Sequence, residues 1–461
     1  MTKKSLYSFC VQIYGCQMNY ADAERIVFLL EKKGGILIKD PEKADFIVIV
    51  SCGVRRGAEQ RAISWMKKLR IKNQNAFIVL TGCLSLRKDI QRVLADVADL
   101  SLPVFNFKEA LEKFLIFKKK EKNEDKKELQ MELINSPFDA TCFYATKTKR
   151  FSRYRAHIPI MSGCNNFCSY CVVPYARGKE VSRSPEEIIR EVKQLINQGY
   201  KEIYLLGQNV NSYKGRDKQG AIWNFACLLE KIDAIKGNFW VKYLSSHPKD
   251  VDVLFLKTLA LRKKISYNLH LPIQSGSTRI LGLMNRKYSK EHYLNLVQKI
   301  RKYAPKTVLS SDIIVGFPSE TKEDFKDSLE VLKKCQFEML YSLKYSPRPG
   351  TEAFKMKDDV SIETKKIRQK KLDGEWKKIA DKLNQRFVGK ELVMLVDKIK
   401  EKGKKEEKEL YYYWGRSFED KNVYFILKER IDLVGKWAKV VILKASPLCL
   451  EGKFLMVEKE G

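Results

Sequence analysis

The sequence predicts an α/β protein in three parts: an N-terminal parallel α/β domain, a partial (βα)6 barrel and a small C-terminal β-barrel. Three observations carry this prediction. Short β-rich runs alternate with amphipathic helical stretches from Leu6 to about Phe117, and again from about Tyr154 to Tyr345. An almost wholly charged segment, Phe117 to Gln130, separates the two series, and beyond a long charged helix the pattern turns to short strands. The chain has 461 residues, 44% of them hydrophobic, enough for about three domains of ~150 residues, which excludes a small scaffold and a disordered chain. The expected boundaries are 5–120, a charged linker at 121–149, 150–380 and 383–456.

In the first part strands are expected at Tyr7–Tyr14, Phe46–Val50 and Phe77–Thr81, with helices at Asp22–Lys33, ended by Gly34 and Gly35, and at Arg55–Arg70. Cys16, Cys52 and Cys83 each follow a strand end, in SFCVQIYGC, FIVIVSC and FIVLTGC. All strand C-termini of a parallel sheet lie on one edge, where open α/β folds bind ligands, so these three thiols are expected to converge.

The second part alternates strand and helix about six times: His157–Ser162 and Ser184–Gln198, Glu202–Leu206 and Ile222–Ile235, Trp240–Leu244 and Val251–Leu261, Ser266–Leu271 and Lys290–Tyr303, Val308–Val315 and Lys322–Lys334, then Glu338–Tyr345. Ser184, Pro185, Glu186 and Glu187 supply an N-cap, a first-turn proline and acids that suit the helix dipole. Chemistry is expected at the C-terminal ends of such strands. After a helix from Ile362 to about Gln385, strands are expected at Glu391–Asp397, Tyr411–Arg416, Val423–Leu427 and Trp437–Leu443, with Lys400–Lys408 as a loop. Tyr411, Tyr412, Tyr413, Trp414, Tyr424 and Phe425, interleaved with Arg416, Lys421 and Lys428, suit nucleic-acid stacking and phosphate contacts, although about half of any alternating strand faces the core.

Lys plus Arg number 88 against 56 Asp plus Glu, a formal charge of +32, which favours a polyanionic partner over a merely solubilising surface. No apolar run reaches the ~18 residues that a membrane span needs, so a cytoplasmic protein is expected. In a reducing compartment the eleven cysteines are metal ligands or buried small hydrophobes and not disulfides. Cys10, Cys142, Cys227, Cys335 and Cys449 have no ligand spacing and are expected to pack. Cys164, Cys168 and Cys171, in SGCNNFCSYCVVPYARG, put three thiolates on one tight loop after a strand. Three thiolates hold a cubane iron–sulfur cluster by three irons and leave the fourth open to a substrate or cofactor. The alternative is a three-Cys zinc site completed by a histidine; His157 is nearest in sequence but lies within an apolar strand pattern, where it packs.

At this loop the chain resembles the radical S-adenosylmethionine enzymes. The resemblance narrows to the radical S-adenosylmethionine methylthiotransferases on IYGCQMN, SCGVR, TGCL, SGCNNFCSYCVVPYARG, LLGQNVNSY, LSSHP, LHLPIQSGS, LMNRKYS, DIIVGFPSET and KYSPRPGT, over nearly the full length. It implies two [4Fe-4S] clusters, each held by three cysteines: a radical cluster on Cys164, Cys168 and Cys171, and an auxiliary cluster on Cys16, Cys52 and Cys83 that carries the sulfur to be transferred. It further implies S-adenosylmethionine bound near Gln208, Ser246, Gln274 and Asp312, with Arg177 meeting cofactor or phosphate, and a C-terminal RNA-binding barrel called TRAM. Gln208, Ser246, Gln274 and Asp312 each have a plainer alternative as a loop cap, and Arg177 as a surface arginine. Two departures stand out: Arg56 and Gly57 replace a glutamate and a variable residue, and Ser319 stands where glycine is usual.

The family reaction inserts sulfur at an unactivated C–H bond and caps it with methyl, spending one S-adenosylmethionine on methylation and a second on the radical. LLGQNVNSY, SSHP and MNRKYS look most like the members that act at C2 of N(6)-dimethylallyladenosine, immediately 3′ of the anticodon. The alternatives are threonylcarbamoylated adenosine in tRNA and an aspartate of a ribosomal protein. A rival of another class is a non-catalytic iron–sulfur RNA-binding protein. The implied partners are a tRNA anticodon stem-loop, an electron donor of flavodoxin or ferredoxin type and a sulfur donor, and a monomer is expected.

Overall fold

The computed structural model describes residues 6–120, 140–402 and 409–458. β1 (Tyr7–Tyr14), β2 (Gly35–Leu37), β3 (Phe46–Ser51), β4 (Phe77–Thr81) and β5 (Leu100–Ser101) form one parallel sheet in the order β2-β1-β3-β4-β5. Phe46 to Val50 form an unbroken apolar run because both faces of β3 are covered, as burial of a parallel sheet requires. The first helix, α1 (Gln17–Lys32), starts five residues earlier than Asp22, because Cys16 itself occupies the N-cap. The charged segment differs from a plain linker: the preceding helix runs Phe107–Lys120, and α2 (Ala140–Ala145) buries Phe143 and Tyr144 against the N-terminal core. Residues 121–139, most of the expected linker, lie outside the described residues.

The second part contains β6 (Arg155–Pro159), β7 (Glu202–Leu206) and β8 (Trp240–Tyr243) in one parallel sheet, and β9 (Asn268–His270), β10 (Val308–Val315) and β11 (Met339–Lys344) in another. A parallel bridge from Val241 to Ile265 joins them, so six strands curve into a partial barrel. Alternation along each strand decides what faces where. Ile203, Leu205, Val241, Leu269, Leu309 and Ile313 join the core that packs against the outer helices. Glu202, Tyr204, Lys242, Asn268, His270 and Asp312 point the other way, into the barrel. The expected helix Ile222–Ile235 is shorter: Ile222–Asn224 pairs with Lys214–Arg216 as a hairpin, and Asn224 caps a helix that begins at Phe225.

The third part is a closed barrel of five strands, β12 (Glu391–Lys402), β13 (Leu410–Ser417), β14 (Asn422–Leu427), β15 (Trp437–Ala445) and β16 (Leu450–Val457), in the order β12-β13-β14-β16-β15. Two expectations are corrected here. Lys400–Lys402 belong to β12 and not to a loop, pairing with Leu410–Tyr412, while 403–408 lie outside the described residues. The strand Leu450–Val457 was not foreseen.

This barrel caps the edge of the partial barrel opposite the cysteine loop. Trp240 meets Trp437 with ring centroids 4.2 Å apart, and Ser266 Oγ donates to the Phe418 carbonyl at 2.6 Å. Lys242, buried, pairs with both Glu202 and Asp420 at 2.8 Å, and Arg155 pairs with Asp397 at 2.6 Å. Among the described residues no helix is long and apolar enough to cross a membrane.

Candidate functional site: two sets of thiols at facing strand ends

Cys16, Cys52 and Cys83 stand at the C-terminal ends of β1, β3 and β4, which are adjacent in the sheet. Backbone contact draws their loops together. A Cβ on Gly53 would lie 2.6 Å from the Cys83 carbonyl oxygen, and one on Gly82, at φ +90°, would lie 2.6 Å from the Ser51 carbonyl oxygen. Only glycine permits that approach and, at Gly82, that conformation. Cys16 donates its amide to Asn19 Oδ1 at 3.2 Å, and its sulfur sits at the positive end of α1. A hydrogen bond shared with Cys52 lowers the Cys16 thiol to about 6 and, with burial, raises that of Cys52; burial raises Cys83.

The second set hangs on one loop after β6. Gly163, at φ +80°, packs so closely on the Gly178–Lys179 backbone that a Cβ would lie 1.9 Å from the Lys179 carbonyl oxygen, and the Cys164 amide donates to the Gly178 carbonyl at 3.1 Å. The loop is held from outside by LMNRKYS. Ser169 Oγ donates to the Leu283 carbonyl at 2.8 Å, Asn285 Nδ2 to the Phe167 carbonyl at 2.8 Å, and Arg286 Nη1 to Cys168 Sγ at 3.4 Å. Burial pushes the Cys171 thiol up to about 12, with the charges of Cys168, Cys164 and Cys83 adding to it. The two loops meet through Arg177, whose Nε donates to Cys83 Sγ at 3.1 Å.

Among the described residues no three His, Cys, Asp or Glu side chains crowd together as the ligands of one ion would. A cubane asks for something different, since its three protein thiolates bind three separate irons. Two trios of free thiols on glycine-shaped loops fit such a group. His157 does not join either set: its ring lies 5.6 Å from that of Tyr204 and 6.3 Å from that of Tyr20, and burial holds its pKa down to about 4.

The polar candidates divide. Gln208 Oε1 and Ser246 Oγ, at the ends of β7 and β8, are buried with no hydrogen-bond partner among the described residues, an arrangement that suits a polar ligand at that edge. Gln274 takes a left-handed φ of +75°, its amide donating to the Asp312 carbonyl at 2.9 Å. Asp312 Oδ2 lies 3.5 Å from His270 Nε2, whose Nδ1 meets Ser310 Oγ at 3.0 Å. Arg177 is not a surface arginine: it is buried in the seam with the N-terminal part, its Nε 3.1 Å from Cys83 Sγ. On the C-terminal barrel, Tyr413 and Phe425 are core, Arg416 pairs with Asp420 and Lys421 with Glu338, which leaves Tyr412, Trp414 and Tyr424 stacked on the outer face beside exposed Lys428. Of the five cysteines expected to pack, Cys10 and Cys335 are buried, Cys227 and Cys449 are half-buried, and Cys142 is exposed, on the face of α2 away from Phe143 and Tyr144.

Sequence reasoning assigned no role to Asn285, Arg286 or Arg348. Arg348, in KYSPRPGT, reaches the N-terminal part, donating to the Val54 carbonyl at 2.9 Å and pairing with Glu59. All three lie inside motifs already singled out, which was the available signal. Ser319 adopts φ +64°, which explains why glycine is usual there; serine accepts a cost of about 1–2 kcal/mol.

The chain matches the Radical SAM superfamily over residues 158–332 and the "Uncharacterized protein family UPF0004" over residues 8–101. It is 38% identical over 457 residues, 96% of each chain, to a protein of Clostridium botulinum (strain Okra / Type B1) named tRNA-2-methylthio-N(6)-dimethylallyladenosine synthase. A protein of the same name from Thermotoga petrophila (strain RKU-1) is 38% identical over 460 residues, 98% of each chain. Among solved structures, the radical S-adenosylmethionine methyltransferase TsrM of Kitasatospora setae shares the fold, with a TM-score of 0.52 at 13% identity over 76% of this chain and 77% of that one.

Proposed function

The chain belongs to the tRNA-2-methylthio-N(6)-dimethylallyladenosine synthases, radical S-adenosylmethionine enzymes that transfer a methylthio group to tRNA, and from that premise we propose a division of labour between its two thiol sets. In this reading Cys164, Cys168 and Cys171 hold the radical cluster and Cys16, Cys52 and Cys83 hold an auxiliary one. When bound, such clusters supply, respectively, the electron that cleaves S-adenosylmethionine to a 5′-deoxyadenosyl radical and a carrier for the sulfur.

The chain's own residues position and exclude water. Gln208 and Ser246 offer unpaired polar atoms to the cofactor at the strand ends. Gln274 follows β9 and bridges to Ile313 of β10, beside Asp312, which lies within that strand. The target is C2 of the prenylated adenine immediately 3′ of the anticodon. A strong C–H bond on an aromatic ring is beyond side-chain acid–base groups, so the protein contributes geometry. Tyr412, Trp414 and Tyr424 of the TRAM barrel supply a stacking face for the anticodon arm. The observation that carries the reading is the contact between the two loops, in which Arg177 of the radical loop donates to Cys83 Sγ at 3.1 Å. A flavodoxin- or ferredoxin-type donor and a separate sulfur donor complete the cycle, in the cytoplasm, where eleven cysteines stay reduced.

Mass spectrometry of tRNA nucleosides from a strain lacking this gene tests the reading. Returning the gene restores the 2-methylthio form of dimethylallyladenosine and leaves threonylcarbamoyladenosine unchanged; the reverse pattern would overturn the substrate assignment.

A further inference from the structure

Arg177 ends the short helix α3 (Val173–Arg177), which starts two residues after Cys171, yet its side chain leaves the radical loop altogether. It is 4% exposed, and every arm of its guanidinium is engaged across the seam. Nε donates to Cys83 Sγ at 3.1 Å, Nη1 to Tyr144 Oη at 3.2 Å and Nη2 to Asp22 Oδ2 at 2.6 Å. Asp22 lies on α1, the helix capped by Cys16, and Tyr144 lies on α2. One side chain therefore touches a ligand of the N-terminal set, the helix that presents a second ligand, and the segment that packs behind both.

Its backbone is tied just as firmly to the other set. Gly178 caps α3 at φ +74°, and its carbonyl accepts the amide of Cys164 at 3.1 Å. A shift of the radical loop is thereby transmitted to Cys83 through Arg177. A guanidinium carries its charge at any physiological pH, and Asp22 faces it at 2.6 Å.

We propose that Arg177 is a positioning residue of the N-terminal thiol site: it fixes that site against the radical loop and supplies the buried positive charge, balanced by Asp22, that sets the reduction potential of whatever cluster Cys83 binds. This rests on the reading that Cys16, Cys52 and Cys83 hold an auxiliary cluster. A hydrogen bond and a positive charge at a ligating sulfur favour the more negative, reduced cluster, so they raise its potential; a nearby carboxylate lowers it.

The test uses the full chain with Cys164, Cys168 and Cys171 all changed to Ala, so that only the N-terminal site is read, reconstituted anaerobically and titrated by EPR-monitored reduction. Arg177→Met should move the midpoint to lower potential, because Asp22 is left uncompensated. Asp22→Asn should move it to higher potential, because the guanidinium is left uncompensated. Arg177→Lys, which keeps the charge, should stay closer to the unsubstituted midpoint than Arg177→Met. A purely structural role has no reason to give shifts of opposite sign. Unchanged midpoints in both variants, or shifts in the same direction, would overturn the inference, and Asp22→Asn still decides it if Arg177→Met does not fold. Absence of any cluster from the triple-Ala protein itself would instead overturn the reading of the site on which the inference rests.

Discussion

Cys164, Cys168 and Cys171 lie within eight consecutive residues, whereas Cys16, Cys52 and Cys83 are drawn from a span of 68. The loop set owes its shape to local backbone turns and is then clamped from outside by Leu283, Asn285 and Arg286. The N-terminal set has no local origin; it exists because three strands share one parallel sheet and because Gly53 and Gly82 let their loops touch. The contrast teaches that two sites with the same ligands differ in what destroys them. The first fails when its clamp is removed, the second when a loop is pushed aside by a single methyl group.

The largest effect follows from overfilling the second site. Gly82→Val places a branched side chain at φ +90° and against the Ser51 carbonyl, so it should empty the N-terminal site alone. Iron content would fall from about eight to about four per chain, and methylthio transfer would be lost. An unaltered iron count would break the claim that glycine contacts build the site. The converse variant, Arg286→Met, removes the donor to Cys168 and the bond to the Pro272 carbonyl at 2.9 Å. Its loss should weaken the loop cluster by roughly 10- to 100-fold in affinity while the N-terminal iron stays; equal loss at both sites would mean that they are not independently held.

Away from both sites, Trp414→Ala with Tyr424→Ala removes the half-buried outer-face stack, and tRNA affinity should fall roughly 5- to 100-fold at constant salt, read by filter binding. Unchanged affinity would make that face mere packing. The smallest effect lies at the seam. His157 titrates near 4 when folded and near 6.5 when unfolded, so the unfolded chain binds more protons between those values, and stability falls as pH drops through that window. His157→Phe should recover about 1–2 kcal/mol of the stability that the cluster-free protein loses between pH 7 and pH 5, measured by denaturant unfolding at both. No difference between variant and parent would mean that the seam is open to water.

What was legible in the sequence follows the same division. The loop set could be read from spacing alone, and the N-terminal set from three cysteines placed after β-rich runs, because strand ends of a parallel sheet must share an edge. The destination of Arg177 could not be read, since it depends on how two separately patterned units dock: its partners Asp22 and Cys83 are 155 and 94 residues away. The clamps at Asn285 and Arg286 likewise act over 118 residues. The last strand, Leu450–Val457, escaped notice because glycine fills an inward position under Val440 while Leu455, Met456 and Val457 are exposed, which inverts the expected alternation. Arg416 and Lys421 looked like phosphate contacts, but Arg416 pairs within the barrel with Asp420, and Lys421 fastens the TRAM barrel to its neighbour through Glu338.

The division of labour is tested most directly by two single substitutions assayed for two products in one dithionite-reduced reaction. Cys168→Ala should abolish both 5′-deoxyadenosine and the methylthio nucleoside, because one of the three thiolates proposed to hold the radical cluster is gone. Cys52→Ala should still release 5′-deoxyadenosine while making no methylthio nucleoside, because Cys164, Cys168 and Cys171, proposed to hold the radical cluster, are untouched. With folding verified by circular dichroism, equal loss of both products in Cys52→Ala would contradict the account: the thiols at the three N-terminal strand ends would then not be a separate sulfur-bearing site.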